Sequence, residues 1–310
     1  MKKFLMAICA AILFLVTAPA QAESLPETII NADDLADEAG EVAEKFYATL
    51  PKAKGDYKSK VRPILIEGAM NTETEILIRA LENPVAYRDF NYLFVAGTYK
   101  NYPVVVARTE QGLANAAAST ALAIKKFNPI AVINQGTAGG YVPELNIGYI
   151  VIGEKSIPIS AYKTAKALKG AGVDFTTQEM RGVYAYDKAT GNFQPYKESL
   201  ADPTLLKVAQ NVADAHKEFN VTTGVIGSAD WWMCWVDYMT FLHEKYGVVC
   251  EEMETNAVAQ ICQNTGLPFI GIRVLSDNIT VNDDYAPNSA TIAQDFVLLV
   301  VEDYIKTLRK

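Results

Sequence analysis

The chain has 310 residues, of which 50% are hydrophobic and 21% are charged, so it can bury a large core. Its Gly and Pro counts are ordinary and no stretch is low in complexity, which excludes a fibrous or disordered protein. Acidic side chains (36) outnumber basic ones (28), and the formal net charge of -8 argues against nucleic acid as a partner.

Residues 1–22 have the pattern of a secretory signal peptide. Two lysines precede an apolar run that ends at about Thr17, and Ala20-Gln21-Ala22 offers a cleavage site. The run is shorter than the ~20 apolar residues that span a bilayer, so we expect cleavage rather than a membrane anchor. The mature protein is therefore expected to be exported, to the periplasm or the medium, and to have no membrane partner.

Few side chains suited to metal binding or nucleophilic catalysis follow this leader. Cys234, Cys250 and Cys262 remain after cleavage, an odd number that allows at most one disulfide and leaves its members open. His216 and His243 are each embedded among polar helix-forming residues, where a surface position is expected. We expect no metal and no other cofactor.

Residues 23–60 form a polar lead in which apolar positions at helical spacing predict one amphipathic helix. Beyond it, apolar strands alternate with amphipathic helices, and no Pro/Gly/Ser linker interrupts them. This alternation predicts a single α/β domain over 61–310, with a central mixed, mainly parallel twisted sheet flanked by helices. Strands are predicted at 61–66, 92–96, 103–107, 130–134, 150–157, 221–226 and 268–275, and helices at 74–81, 113–127, 205–219, 235–246, 255–265 and 290–308.

Polar side chains collect where the predicted strands end, which is where open α/β sheets bind ligands. EGAMNTE places Glu73 after the first strand, and a glycine-rich turn, GTAGG (136–140), can approach a ligand closely because glycine has no side chain. EEMET (251–255) opens a helix with three carboxylates, which would complement the helix dipole. RVLSDN places Ser276 and Asp277 just past the last strand.

Together, and in this order, these segments resemble the nucleoside phosphorylase/nucleosidase superfamily, and most of all the 5'-methylthioadenosine/S-adenosylhomocysteine nucleosidases. The resemblance extends from about Arg62 to the C-terminus and implies the nucleoside phosphorylase-like fold, a small-molecule purine nucleoside as substrate, and a homodimer. It rests on GAMNTE (68–73), AVINQGTAGGYVPELNIGYIVIGE (131–154), GSADWW (227–232) and EEMETNAVAQICQNTGLPFIGIRVLSD (251–277).

The resemblance also implies roles for particular residues in hydrolysis of the N-glycosidic bond. Asp277 matches the general acid that protonates the purine, and Glu73 matches the carboxylate that orients and deprotonates the attacking water. Glu254, with Met253, matches the group that holds the ribose hydroxyls and stabilises the positive charge growing on the sugar.

The same resemblance implies a set of supporting residues around these groups. Thr137, Ala138 and Gly139 would lie beneath the ribose, Arg273 near Glu73 and the water, and Ser276 beside Asp277. Glu252 is counted with the substrate-binding residues of its segment. Either Trp231 or Trp232 would stack on the base, and core packing is the alternative for both.

Two other functions stay open at the level of sequence. A phosphorylase would need several arginine contacts for phosphate, whereas Arg108 is the one basic residue near the second glycine loop and Glu73 would repel the anion. An exported nucleoside-binding protein without turnover could keep the fold, but binding alone does not require both Glu73 and Asp277. The sequence does not specify the preferred 5'-substituent.

Overall fold

The structure is a computed structural model that describes residues 42–187 and 190–309. The predicted signal peptide (1–22) and the first part of the predicted lead (23–41) lie outside the described residues. In the part of the chain that is described, no helix is both long and apolar enough to cross a membrane.

Helices and strands alternate along the domain, as the sequence predicts. The helices are α1 (42–49), α2 (Asn71–Arg79), α3 (Leu113–Phe127), α4 (Pro203–Ala215), α5 (Val236–Tyr246), α6 (Thr255–Thr265) and α7 (Ala290–Leu308). The strands are β1 (Ile64–Gly68), β2 (Glu82–Asp89), β3 (Tyr92–Tyr99), β4 (Tyr102–Arg108), β5 (Ala131–Gly140), β6 (Ile150–Pro158), β7 (Tyr162–Lys163), β8 (Glu179–Met180), β9 (Val183–Asp187), β10 (Asn192–Tyr196), β11 (Ser199–Leu200), β12 (Val221–Ser228), β13 (Val248–Glu252) and β14 (Phe269–Asp277).

Ten of the described strands form one mixed sheet. Its order is β11-β6-β12-β13-β5-β1-β4-β3-β2, and β14 pairs with both β5 and β6. Because β13 also pairs with β5, the strands β5, β14, β6, β12 and β13 close into a ring, and β1 to β4 extend from it as an open arm. The predicted mixed sheet is confirmed, and its closure into a barrel was not predicted.

The expected excess of parallel strand pairs is wrong. Among the described strands of this sheet, five neighbouring pairs are parallel and five are antiparallel. Part of the cause is the arm, where no helix separates β2, β3 and β4. Lys100 and Asn101 connect β3 to β4 with φ of 50° and 59°, the left-handed pair of angles that closes a two-residue hairpin.

Helices cover both faces of the sheet. Side chains of α2, α4 and α7, among them Leu77 and Phe296, form the core on one face. Those of α3 and α6, among them Ala123 and Val258, form the core on the other. Leu242 of α5 packs in a further cluster against the ring. The predicted helical layers are confirmed.

Two local predictions need correction, and two strands are not predicted. The glycine-rich segment 136–140 is not a turn and forms the second half of β5. Glycine is compatible with a strand at a place where neighbouring groups approach the backbone closely. Segment 251–255 does not open a helix at its first residue: Glu251 and Glu252 end β13, and α6 begins at Thr255. The half-exposed β2 and the five-residue β13 are not predicted, because apolar and polar residues do not clearly alternate along them.

The predicted amphipathic helix of the lead is present over 42–49 as α1, and the earlier part of the prediction lies outside the described residues. Ala43 and Tyr47 are buried, and the Tyr47 hydroxyl lies 3.0 Å from Oγ1 of Thr74 on α2. The guanidinium of Arg79 stacks 3.8 Å from the ring centre of Phe46. The helix is therefore part of the folded body.

The three cysteines of the described chain are free thiols. Cys234 is exposed, whereas Cys250 and Cys262 are buried. Burial raises the pKa of all three thiols, so none of them is activated as a thiolate.

Shortening a core side chain should lower the stability measurably. Phe296 is fully buried, and its ring centre lies 5.5 Å from that of Phe219. We expect Phe296→Ala to lower the free energy of unfolding by about 3–5 kcal/mol, through lost transfer energy and the cavity left behind. Urea unfolding followed by circular dichroism measures this loss. Phe90→Ala is the control, because Phe90 is 84% exposed and its loss should change stability by less than about 0.5 kcal/mol.

Candidate active site

A cavity of about 230 Å³ lies where β5, β13 and β14 end, beside the start of α2. Every residue that the sequence predicts for the site lines this cavity, except Arg273. Segments far apart in the chain are thus brought together as predicted. Further lining residues, which the sequence does not predict, are Ala69, Met70, Gln111, Glu251 and Tyr285.

Asp277 is the last residue of β14 and is 5% exposed. Ser276 Oγ donates to its Oδ1 at 2.8 Å, as predicted for a residue that holds the carboxyl group. Burial raises the pKa of Asp277, and the bond from Ser276 opposes this rise in part. The environment therefore shifts this carboxyl group toward the protonated form that a general acid needs, relative to an exposed aspartate.

Glu73 lies in the first turn of α2. Its Oε2 accepts from the backbone N–H groups of Ala69 (2.8 Å) and Met70 (3.1 Å), so this oxygen caps the helix. Its Oε1 accepts from the backbone N–H (2.8 Å) and the hydroxyl (3.0 Å) of Thr137 on β5.

Glu254 and Glu252 lie close together but have different hydrogen-bond partners. Glu254 precedes α6, is 5% exposed, and accepts from the backbone N–H of Gly112 at 2.8 Å. Glu252 Oε2 accepts from the N–H groups of Glu254 (2.9 Å) and Thr255 (2.8 Å), so Glu252 caps α6 and fixes where Glu254 lies. Burial and the charge of Glu252 raise the pKa of Glu254.

Arg273 does not reach the cavity. It is 1% exposed, its Nη2 pairs with the carboxylate of Glu252, and it lies 3.8 Å from that of Glu254. It is nevertheless close to Glu73, as predicted, because only Gly136 stands between them. A Cβ on Gly136 would come within 2.6 Å of both Arg273 Nη1 and Glu73 Oε1, so no larger residue fits there without displacing them.

The two tryptophans occupy different environments. Trp231 is partly buried, its indole N–H donates to Glu251 at 2.7 Å, and its ring packs edge-on against Tyr238. Trp232 is 47% exposed and its ring contacts that of Tyr285, with 5.5 Å between the centres. Both line the cavity, and Trp232 presents the freer ring.

The wall of the cavity is acidic. Its lining includes five carboxyl groups, and none of the lining residues in the described chain is basic: the acids are Glu73, Glu251, Glu252, Glu254 and Asp277. No cluster of three or more His, Cys, Asp or Glu in residues 42–187 and 190–309 is arranged to hold a metal ion. Such a site is suited to a substrate on which positive charge develops.

Arg108, the basic residue near the second glycine loop, is occupied elsewhere. Its guanidinium pairs with Glu44 of α1 and, at 2.9 Å, with Glu110, and it donates to Asn71 at 2.7 Å. Its side chain is 11% exposed. The charge that a phosphate would need is thus neutralised within the protein.

Comparisons with known proteins give a consistent result. Residues 63–306 match the phosphorylase superfamily. A 5'-methylthioadenosine/S-adenosylhomocysteine nucleosidase of Geobacillus sp. (strain WCH70) is 32% identical over 250 residues, which cover 78% of this chain and 99% of that protein. The nucleosidase of the same description from Shewanella piezotolerans is 33% identical over 222 residues, 71% of this chain and 87% of that protein.

A solved structure agrees with these sequences. It is the Neisseria meningitidis 5'-methylthioadenosine/S-adenosylhomocysteine nucleosidase in complex with methylthio-immucillin-A. Its TM-score is 0.63 and its sequence identity 26%, and the match covers 78% of this chain and 99% of that one. The resemblance inferred from the motifs is confirmed: this chain belongs to the phosphorylase superfamily and, within it, to the 5'-methylthioadenosine/S-adenosylhomocysteine nucleosidases, which are N-ribosyl hydrolases.

Proposed function

We propose that this protein hydrolyses the N-glycosidic bond of 5'-methylthioadenosine, S-adenosylhomocysteine or closely related purine nucleosides and releases the base, adenine in these two. The observation that carries the proposal is that Asp277, Glu73 and Glu254 line one small cavity from three separate segments of the chain. An acid, a base and a ribose-binding carboxylate are what this hydrolysis requires.

Asp277 is proposed as the general acid. When the C1'–N9 bond breaks, its electron pair passes to the purine, and a proton from Asp277 to N7 lets the base leave neutral. The raised pKa of Asp277 supports this role, because more of the acid form is present at neutral pH than for an ordinary aspartate. Ser276 is proposed to keep the carboxyl group in place by its 2.8 Å hydrogen bond.

Glu254 and Glu73 are proposed to act on the sugar and on the water. Glu254 would accept hydrogen bonds from the ribose hydroxyls, and its negative charge would stabilise the cationic sugar of the transition state. Water then forms the new bond to C1', and its proton passes to Glu73. Thr137 contributes by orienting Glu73 Oε1 through two hydrogen bonds.

Water is favoured over phosphate as the nucleophile. A phosphate anion would enter a cavity lined by five carboxyl groups and, among the described residues, by no basic side chain. Arg108 would have to leave Glu44 and Glu110 before it could bind the anion. For the base, Trp232 is the proposed stacking partner, because its ring is 47% exposed, whereas the ring of Trp231 packs against Tyr238.

Glu73→Gln should lower hydrolysis of 5'-methylthioadenosine by a factor on the order of 100 or more, since an amide cannot take the proton of water. Adenine release by the wild type should not require phosphate and should yield the free sugar, which chromatography of the products would show. Glu75→Gln is the matched control, because Glu75 is two residues away and pairs with Arg79 outside the cavity. A strict need for phosphate, with sugar 1-phosphate as product, would make the protein a phosphorylase.

Asp277→Asn should bind nucleoside but hydrolyse 5'-methylthioadenosine roughly 100- to 10,000-fold more slowly, because asparagine has no acidic proton to give. The loss should be smaller for a p-nitrophenyl riboside, whose leaving group departs without protonation. Asp284→Asn, at an exposed position of the same segment, is the control. Wild-type turnover by Asp277→Asn would show that the assigned acid is wrong, and a wild type that binds nucleosides but turns over none would be a binding protein.

The proposed site of action is outside the cytoplasm, and the proposed assembly is a homodimer. The pattern of residues 1–22 supports export. If the leader is cleaved after Ala22, mass spectrometry of the extracytoplasmic protein should find Glu23 at its N-terminus. Light scattering should then give twice the mass of the mature chain. Recovery of the intact leader in the membrane fraction would contradict export with cleavage, and the monomer mass would contradict the dimer.

A further inference from the structure

Glu251 is a carboxyl group that the proposed mechanism does not use. It lines the cavity at 6% exposure, at the end of β13. It takes no part in capping α6, which Glu252 does. A buried carboxyl group that faces a binding cavity is costly unless something there makes use of it.

Three donors of the protein orient this carboxyl group. Oε2 accepts from the Tyr141 hydroxyl and from the Trp231 indole N–H, and Oε1 accepts from the backbone N–H of Met233 at 2.7 Å. A carboxylate offers about four acceptor positions, so Oε1 keeps one position for a further partner. Because the group lines the cavity, a bound ligand can supply that partner.

The position of Glu251 relative to Asp277 indicates which part of a ligand it would meet. Glu251 and Asp277 pair with the same residue of β5, Gly139, from the strands on its two sides. Side chains in such register lie on the same face, and two strand spacings put the backbones roughly 10 Å apart. A Cβ on Gly139 would come within 3.1 Å of Asp277 Oδ2, so the absence of a side chain keeps the space between the two carboxyl groups open.

We propose that Glu251 binds N1 of the purine through Oε1, donating a hydrogen bond to adenine when it is protonated and accepting one from the N1–H of a 6-oxopurine when it is ionised. The inference rests on the proposed function, in which Asp277 holds N7 at the other edge of the base. Adenine N1 is an acceptor and the N1 of hypoxanthine carries a proton, so each base needs the opposite form of Glu251. The preference between them then depends on pH.

The surroundings of Glu251 allow both forms near neutral pH. Burial raises its pKa to about 7, and the bonds from Tyr141, Met233 and Trp231 oppose that rise. Asp277, when ionised, contributes to this same rise. The other titratable groups close to it are Cys234, Tyr238 and Cys250, and burial raises the pKa of each, so they stay neutral in this range.

The test compares two substrates that differ only in the base, 5'-methylthioadenosine and 5'-methylthioinosine. The ratio of their kcat/KM values should fall by about 10-fold for each pH unit, or about 100-fold between pH 6 and 8, because one substrate needs a proton on Glu251 and the other needs its absence. Asp277 and Glu73 act on both substrates, so their titration cancels in the ratio. This measurement needs no variant.

Two variants then assign the effect to Glu251. In Glu251→Gln the amide oxygen can accept from Tyr141 and Trp231, which leaves the amide N–H as a permanent donor toward the base. The variant should therefore keep activity on the adenine substrate, lose at least 10-fold on the inosine substrate, and give a ratio that no longer depends on pH. Glu251→Leu should lose the pH dependence and disfavour both substrates. Glu144→Gln, an exposed acid, is the control that should keep the wild-type slope.

The outcomes separate this inference from the proposed function. A ratio that does not change with pH in the wild type, or a slope that persists in Glu251→Gln, overturns the inference even if hydrolysis proceeds. Calorimetry of adenine and hypoxanthine at pH 6 and 8 measures base binding without turnover. If neither nucleoside is hydrolysed but the affinity for hypoxanthine relative to adenine increases as pH rises, the inference is supported and the proposed hydrolysis is wrong.

Discussion

The active-site region depends on one buried ion pair, between Arg273 and Glu252. Arg273 enters from β14, and its Nη2 binds Glu252 of β13, Asn134 of β5 and, at 2.8 Å, Thr255 of α6. Such a pair adds little net stability, since desolvation offsets the attraction, but removing one partner costs about 3–5 kcal/mol. Its effect here is geometric, because it fixes the strands and the helix start that carry Glu251, Glu254 and Asp277.

Several carboxyl groups in one cavity repel one another when they are ionised, and the structure reduces this repulsion in two ways. Glu73 is surrounded by four donors, which compensate its charge without a metal ion. At Asp277 and Glu251 burial instead raises the pKa values, whereas at Glu254 the nearby charge of Arg273 opposes the rise that burial causes. A single acidic wall therefore contains groups suited to accept a proton and groups suited to give one, set apart by their local environments.

The helical layers, the mixed sheet and the place of the site could be predicted because local patterns determine them. The bounds predicted for α3, α6 and α7 are those observed. The barrel could not be predicted, since closure depends on β14 pairing with β5 and β6 at once, a contact between distant segments. Glu251 was missed for a related reason: three adjacent carboxylates suggest a helix start, and only the register of β13 against Gly139 turns the first of them toward the cavity.

The salt bridge between Glu44 and Arg108 connects α1, which precedes the superfamily match, to the edge of the active site. Similarity to the superfamily begins at residue 63, yet Glu44 stands on α1 and neutralises an arginine at the edge of the loop that carries Gln111. An expressed fragment that started at the superfamily boundary would lose this carboxylate and the packing of Tyr47. It would also leave a partly unpaired guanidinium beside the cavity, and so acquire an affinity for anions that the longer chain suppresses.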